Sequence, residues 1–306
     1  MKTVIEVEHL RKTYGSTVAV DDISLNVDEG EIFGLIGPNG AGKTTFVECL
    51  QALRRLDGGH IRVLGLDPQS EGQALRKRIG SQLQQSALPD RIKIWEALDL
   101  FASFSPISLD WRELMKQWGL ADKRRASFSS LSGGQRQRLF VALALINKPE
   151  VVFLDEMTTG LDPAGKRVAW ELIKAIRDQG TTVVLVTHFM DEAEHLCDRI
   201  AVVNQGRVVA LDTPQGLINT YYSQVRITFS TECPDISWLE GISHVSRITR
   251  QGPVVEVEGS GPVLVLVAAA LVEHDIIPND LRVEQPTLED VFLKLTDTAF
   301  RTEVQA

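Results

Sequence analysis

The sequence predicts an α/β fold built on a parallel sheet, followed by a smaller α+β unit. Three observations predict it. The first is the apolar run Ile32-Phe33-Gly34-Leu35-Ile36, then the glycine-rich stretch Gly37-Pro38-Asn39-Gly40-Ala41-Gly42-Lys43-Thr44-Thr45, then the helical pattern Phe46-Val47-Glu48-Cys49-Leu50. That order is strand, loop, helix. The second is a pair of buried-strand runs, Val151 to Leu154 and Thr181 to Val186, each suited to a central strand covered on both faces. The third is a change of character after about Ser223, where strands and helices continue without any catalytic constellation.

Gly37, Gly42, Lys43 and Thr44 fit the phosphate-binding loop pattern. Glycines let backbone N–H groups curl toward an anion, and the helix start adds the positive end of its dipole at the same point. Lys43 can reach terminal phosphates, and the Thr44 hydroxyl can ligand Mg²⁺.

Composition sets the outer bounds. The chain has 306 residues, enough for two units, and its 43% hydrophobic and 24% charged content is that of an ordinary globular protein. The net charge of -9 argues against broad nucleic-acid binding. The acidity is uneven, since from Gln215 onward there are 6 Lys+Arg against 13 Asp+Glu. Cys49, Cys197 and Cys233 lie far apart without paired spacing, so reduced thiols are expected, not a metal site or disulfides. The segment Met1 to Glu8 alternates like a strand and lacks the apolar centre of a signal peptide. The longest apolar run, Val263 to Val272, is shorter than the roughly 20 residues that cross a bilayer. A soluble chain is expected, one that serves a membrane only by docking on a spanning partner.

In chain order, Val4 to Val7 and Ile23 to Val27 read as strands. Between them Tyr14 is either a turn aromatic or a stacking surface for an adenine ring. His60 to Leu64 reads as a strand and Ala74 to Arg78 as helix-like. Gln82, Gln84 and Gln85 then cluster in a loop. A glutamine amide oxygen there can ligand Mg²⁺ or position a water, or simply be solvated. Asp90 to Phe128 is helical in pattern and holds three of the five tryptophans, as a packed core or as a small lobe showing apolar surface to a partner. Ser132 is a plausible N-cap for the helix after Gly133-Gly134, whose N–H groups can face an anion.

Val151 to Leu154 ends in Asp155-Glu156, at the strand end where α/β sheets place ligands. Asp155 suits Mg²⁺ coordination, and Glu156 suits polarising an attacking water. After the turn Thr158 to Pro163, a helix runs from about Ala164 to Asp178. The strand Thr181 to Val186 ends in Thr187-His188, where a histidine can meet a γ-phosphate or the water. Helix is expected over Met190 to Cys197, and strands over Arg199 to Val203 and Arg207 to Leu211. Beyond Ser223 the pattern gives strands at Val225 to Ser230, Val245 to Thr249, Val254 to Glu258 and near Leu281 to Glu284. Helices are expected from Pro262 to His274 and from Thr287 to Thr296, the latter opened by a Thr287/Asp290 capping box.

With these residues placed, the chain resembles the ATP-binding subunit of an ABC transporter over about residues 2–220. Residues 37–45 match Walker A, and Leu131-Ser132-Gly133-Gly134-Gln135 match the LSGGQ signature. Val151 to Glu156 match Walker B with its catalytic glutamate. Leu161-Asp162 match the D-loop, His188 the switch histidine, Tyr14 the adenine-stacking aromatic, and Gln84 is the best match to the Q-loop glutamine. Met157 stands where the family usually has proline, so a looser turn is expected. The stretch Thr187 to Glu194 and the ending Pro286 to Phe292 are similar to the daunorubicin- and multidrug-type exporter ATPases.

The resemblance implies a P-loop ABC ATPase core over residues 1–222, with an antiparallel β subdomain and a helical lobe at about 90–147. A C-terminal α+β appendage for dimerisation or regulation would fill 223–306. It implies ATP and Mg²⁺ as ligands. Glu156 and His188 would be catalytic. Tyr14, residues 37–45, Ser132, Gly133, Gly134, Gln135 and Asp162 would contact nucleotide, and Thr44, Gln84 and Asp155 the metal. A homodimer would sandwich two ATPs head to tail, each P-loop facing the partner's signature, and drive integral membrane permease subunits from the cytoplasmic face of the cell membrane. No nucleic acid is expected as partner. The alternatives are a soluble ABC ATPase acting on nucleic acid or ribosomes, and an import ATPase. Against the first stand a single motif set and the lack of a long heptad run.

Overall fold

The computed structural model describes residues 2–82, 87–105, 107–222 and 224–303, with side chains up to residue 296. The chain divides into two compact units, Met1–Pro214 and Gln215–Ala306.

In the first unit, strands β1 (Thr3–Tyr14) and β2 (Thr17–Asp28) lead into β3 (Ile32–Ile36), the phosphate-loop helix α1 (Lys43–Leu50) and β4 (Gly58–Val63). A single turn, α2 (Gly72–Leu75), precedes β5 (Ile79–Gln82). The lobe is built from α3 (Ile94–Ser103), α4 (Trp111–Gln117) and α5 (Gly133–Leu145), joined by two short 3₁₀ turns. Then β6 (Val151–Asp155), α6 (Pro163–Asp178), β7 (Thr182–Thr187), α7 (Met190–Leu196), β8 (Arg199–Asn204) and β9 (Arg207–Asp212) complete the core. Helix α8 (Pro214–Tyr221) follows at the start of the second unit.

β2-β1-β4 form an antiparallel sheet, and β5-β6-β7-β3-β8-β9 a second one, parallel except for its last pair. Strands β3, β6 and β7 are buried along their whole length, as continuous apolar runs in a covered parallel sheet must be. Val7, Leu10, Ile23, Phe33, Leu35, Phe46, Val184 and Val203 belong to one apolar cluster that draws on both sheets.

Register places the site. Ile36 pairs with Thr187, and Asp155 with Val186. The carboxyl ends of β6, β7 and β3 are therefore level and adjacent, and the next residues along each chain, Glu156, His188 and Gly37, emerge side by side. This is the strand-end crevice where open α/β sheets bind ligands.

The second unit pairs β10 (Val225–Ser230), β11 (Val245–Gln251), β12 (Val254–Gly259) and β13 (Arg282–Glu284) in the order β11-β12-β10-β13, all antiparallel. Helix α9 (Val263–Glu273) and a 3₁₀ turn at Ser237–Gly241 are the crossovers of a split β-α-β arrangement, the first reduced to that turn. Ile227, Phe229, Val255, Val257, Val263, Val267 and Leu271 form its separate core. Helix α10 (Leu288–Glu303) is opened by the expected capping box, with Thr287 N–H donating to Asp290 Oδ2 at 2.8 Å and Asp290 N–H to Thr287 Oγ1 at 3.4 Å.

Candidate functional site

The loop between β3 and α1 is shaped by two close backbone approaches. A Cβ on Gly37 would meet Val203 O at 2.2 Å, and one on Gly42 would meet Ala19 O at 2.0 Å. Gly42 also has φ 98 at the N-cap of α1, a conformation that favours glycine. Among the described residues no side chain caps α1, so the free N–H groups of its first turn remain available to an anion. Asn39, Gly40 and Thr44 are exposed, whereas Ala41 is buried.

Lys43 folds back over this loop, its Nζ donating to Gly37 O at 2.7 Å and Pro38 O at 2.9 Å. Burial lowers its pKa, with Glu156 and Asp155 pulling the other way. Asp155 is buried at the end of β6, and its pKa is raised to about 6, first by burial and then by the charge of Glu156. Two crowded carboxyls beside a single buried lysine are a place where a cation relieves repulsion.

Glu156 has φ 50, and its N–H donates to Val186 O at 2.9 Å, which anchors it across to β7. Its Oε1 lies 3.0 Å from His188 Nδ1. The His188 ring packs on Phe189, which in turn lies under the Lys166 ammonium at 3.6 Å. The turn after Glu156 is closed by Thr159 N–H to Glu156 O and Leu161 N–H to Thr158 O, while Met157 is buried beneath it.

Tyr14 ends β1 and is 44% exposed. Its approach is fixed by Asp57, which accepts from Lys12 Nζ at 2.9 Å, Thr13 N at 2.7 Å and Thr13 Oγ1 at 2.8 Å. These bonds, the one to Lys12 foremost, hold the Asp57 carboxyl at a pKa of about 2. Asp57 reads in sequence as part of a turn, and its D-G-G context is the one signal that marks it.

Ser132, Gly133, Gly134, Gln135 and Asp162 gather in a second patch. Ser132 caps α5: Gln135 N–H donates to Ser132 Oγ at 3.3 Å, and Ser132 N–H to Gln135 Oε1 at 3.0 Å. The Gln135 side chain is thus engaged in the capping box. Ser132 and Gly133 are exposed, and a Cβ on Gly134 would meet Leu161 at 3.2 Å. Asp162 caps α6 by accepting from Gly165 N–H at 2.8 Å. Ser132, Gly134, Met157, Leu161 and Asp162 line a cavity of about 500 Å³ that none of residues 37–45 lines. Gln84 lies outside the described residues.

These residues fit a magnesium nucleotide. The Gly37 and Gly42 cradle leaves no room for side chains, and the lysine sits where phosphate oxygens would replace two carbonyls as acceptors. Among the described residues no group of three metal-ligating side chains occurs. Thr44 and Asp155 supply hard oxygen donors, which suits Mg²⁺, an ion that keeps waters and takes its other ligands from phosphates.

Comparison with known proteins agrees. A family model described as ABC transporter matches residues 20–159. The chain is 37% identical to the daunorubicin resistance ATP-binding protein DrrA2 of Streptomyces coeruleorubidus, covering 98% of this chain and 96% of that one. It is 35% identical to the Nod factor export ATP-binding protein I of Ralstonia nicotianae over 97% and 95% of the two chains. A dimeric ATP-binding cassette solved in a post-hydrolysis state with ADP and Pi superimposes with a TM-score of 0.62 at 28% identity, covering 68% of this chain and 98% of that one. Cradle, acidic strand end and full-length likeness together place the chain in the ABC transporter family, as an ATP-binding, ATP-hydrolysing subunit of the drug-exporter type.

Proposed function

We propose that the protein hydrolyses magnesium-bound ATP at the interface of a head-to-tail homodimer and thereby drives an integral membrane permease that exports a drug or lipid-like molecule. The observation that carries this reading is the level emergence of Gly37, Glu156 and His188 from three adjacent strands, with Lys43 between cradle and acids.

In this reading the N–H groups of residues 39–45 and the Lys43 ammonium bind the phosphates, and Tyr14 stacks on the base. Bound Mg²⁺, held by Thr44, Asp155 and Gln84, would neutralise phosphate charge. Glu156 accepts a hydrogen bond from the attacking water and polarises it. His188, oriented through Nδ1 by Glu156, presents its other ring nitrogen to the γ-phosphate side. The exposed Ser132-Gly133 end of α5 faces outward from its own subunit, available to a partner's nucleotide, with Gly134 and Gln135 behind it and Asp162 alongside. Loss of the γ-phosphate removes the charge shared by the two subunits, and the dimer opens.

No described helix is long and apolar enough to cross a membrane. In this reading the permease is a separate chain, engaged from the cytoplasmic face of the cell membrane. A cavity of about 680 Å³ between β5 and the lobe of residues 90–147 suits a protruding permease segment, lined by Leu53, Leu88, Phe101, Phe104, Phe140 and Leu143. Phe104 on its rim is 68% exposed. Residues 223–306 would serve dimerisation or regulation. Affinity purification from a detergent extract tests the partner: an integral membrane protein should co-purify, whereas ribosomes or nucleic acid would contradict the transport reading.

A further inference from the structure

Behind Glu156 and His188 lies a carboxyl group with no assigned task. Glu192 stands in α7, four residues after His188, and is completely buried. A carboxyl is almost never buried to that degree unless it is paired and hydrogen-bonded. Here neither of its oxygens has a hydrogen-bond partner, and the same holds for Thr158 Oγ1 and Trp170 Nε1. Yet these groups face one another. The Thr187 and Thr158 hydroxyls and the Trp170 indole N–H are the donors turned toward Glu192, each short of full hydrogen-bond geometry, and the Lys166 ammonium adds a more distant attraction.

The donors come from three segments that meet at the reaction site. Thr158 follows Glu156 by two residues. Thr187 ends β7 directly before His188, and its hydroxyl already accepts from Phe189 N–H at 3.0 Å. Trp170 belongs to α6, the helix that Asp162 opens. One carboxyl thus touches the backing of the water-polarising residue, the switch histidine and the helix at the subunit interface. A purely structural buried carboxyl is satisfied in the resting fold. This one leaves several polar atoms unpaired in the same pocket, with donors and acceptors turned toward one another. Burial raises the Glu192 pKa, which favours the neutral acid, able to donate to one hydroxyl and accept from the other.

We propose that Glu192 is a positioning residue, whose carboxyl bridges the Thr158 and Thr187 hydroxyls as the site closes on nucleotide and so fixes Glu156 against His188. This rests on the reading of Glu156 and His188 given above.

The test is steady-state ATPase kinetics and thermal melting on the full chain carrying Glu192→Met, Glu192→Gln, His188→Ala, or Glu192→Met with His188→Ala. Met fills the space without the polar bridge. It should lower kcat at least about tenfold with KM for ATP within about twofold and no fall in Tm. Gln has the shape and both hydrogen-bonding capacities of the neutral acid, so it should stay within about twofold of the parent. The double variant should match His188→Ala alone, because the effect passes through the pair. Parental kcat in Glu192→Met, a fully multiplicative loss in the double variant, or Gln falling together with Met in kcat and Tm would each overturn the proposal. If His188→Ala keeps the parental rate, the reading of the pair fails and takes the proposal with it. Loss in His188→Ala with none in Glu192→Met overturns the proposal alone.

Discussion

His188 Nδ1 lies 3.0 Å from Glu156 Oε1, across the ends of two strands that pair in parallel. A carboxylate only accepts, so this contact with ionised Glu156 requires the proton on Nδ1 and leaves Nε2 to another partner. Glu156 holds φ 50, a left-handed conformation that costs a non-glycine residue roughly 1 kcal/mol, and the bond from its N–H to Val186 O keeps it there. His188→Ala should therefore lower kcat by about a hundredfold and leave KM for ATP within about threefold. Phosphate-release kinetics check this.

Asp57 predicts a separable effect on base recognition. Asp57→Ala frees Lys12 and Thr13, and with them the segment that presents Tyr14. KM for ATP should rise about three- to tenfold, matching a lost stacking contact of about 1 kcal/mol, while kcat stays unchanged. Affinity for inorganic triphosphate, which has no ring to stack, should not move. Competition binding with both ligands distinguishes the two.

Asp155 predicts a pH dependence of the empty site. Its pKa moves up from 3.8 to about 6, so between those values the unfolded chain is ionised while the folded one still holds the proton. The unfolded state binds fewer protons there, and stability falls as pH rises through that window. In chelator and without nucleotide, Asp155→Asn should raise Tm by a few degrees above about pH 6. That gain should fade as the pH is lowered and vanish by about pH 4. A gain that persists at low pH would show that the carboxyl charge is not its source.

The acidic second unit has its own core. A chain ending at Tyr222 should keep nucleotide binding but change either the dimerisation constant or the coupling of ATPase rate to the permease. Analytical ultracentrifugation and permease-stimulated ATPase measurements would show it. Both quantities unchanged would remove a dimerising or regulatory role from residues 223–306.

The sequence made the cradle legible because its chemistry is local. Gly37, Gly42, Lys43 and Thr44 sit within eight positions, and so do Ser132 and Gln135 with their capping box. Asp155, Glu156 and His188 were readable as strand ends, but their meeting depends on the order β6-β7-β3, which no local pattern encodes. Strand β1 runs on to Tyr14, well past Val7. The alternation breaks at a bulge between Val7 and Leu10 where His9 has φ 52. The helical stretch expected from Asp90 to Phe128 is α3, α4 and two 3₁₀ turns, because its apolar spacing fits short helices as well as long ones. Helix α8 begins at Pro214 and carries Gly216, too weak a pattern to stand out. Glu192 looks in sequence like one acid among several on a solvated helix, and only the packing of α7 shows that it is buried.

In the proposed mechanism Glu156 readies water for a nucleotide held between two copies of the chain. Glu156→Gln, studied by light scattering and phosphate release with ATP and Mg²⁺, tests it most directly. The variant should bind ATP, lose turnover by about a hundredfold or more, and accumulate as a dimer that disperses when ATP is withdrawn. Turnover at the parental rate, or a monomer at saturating ATP, would contradict it.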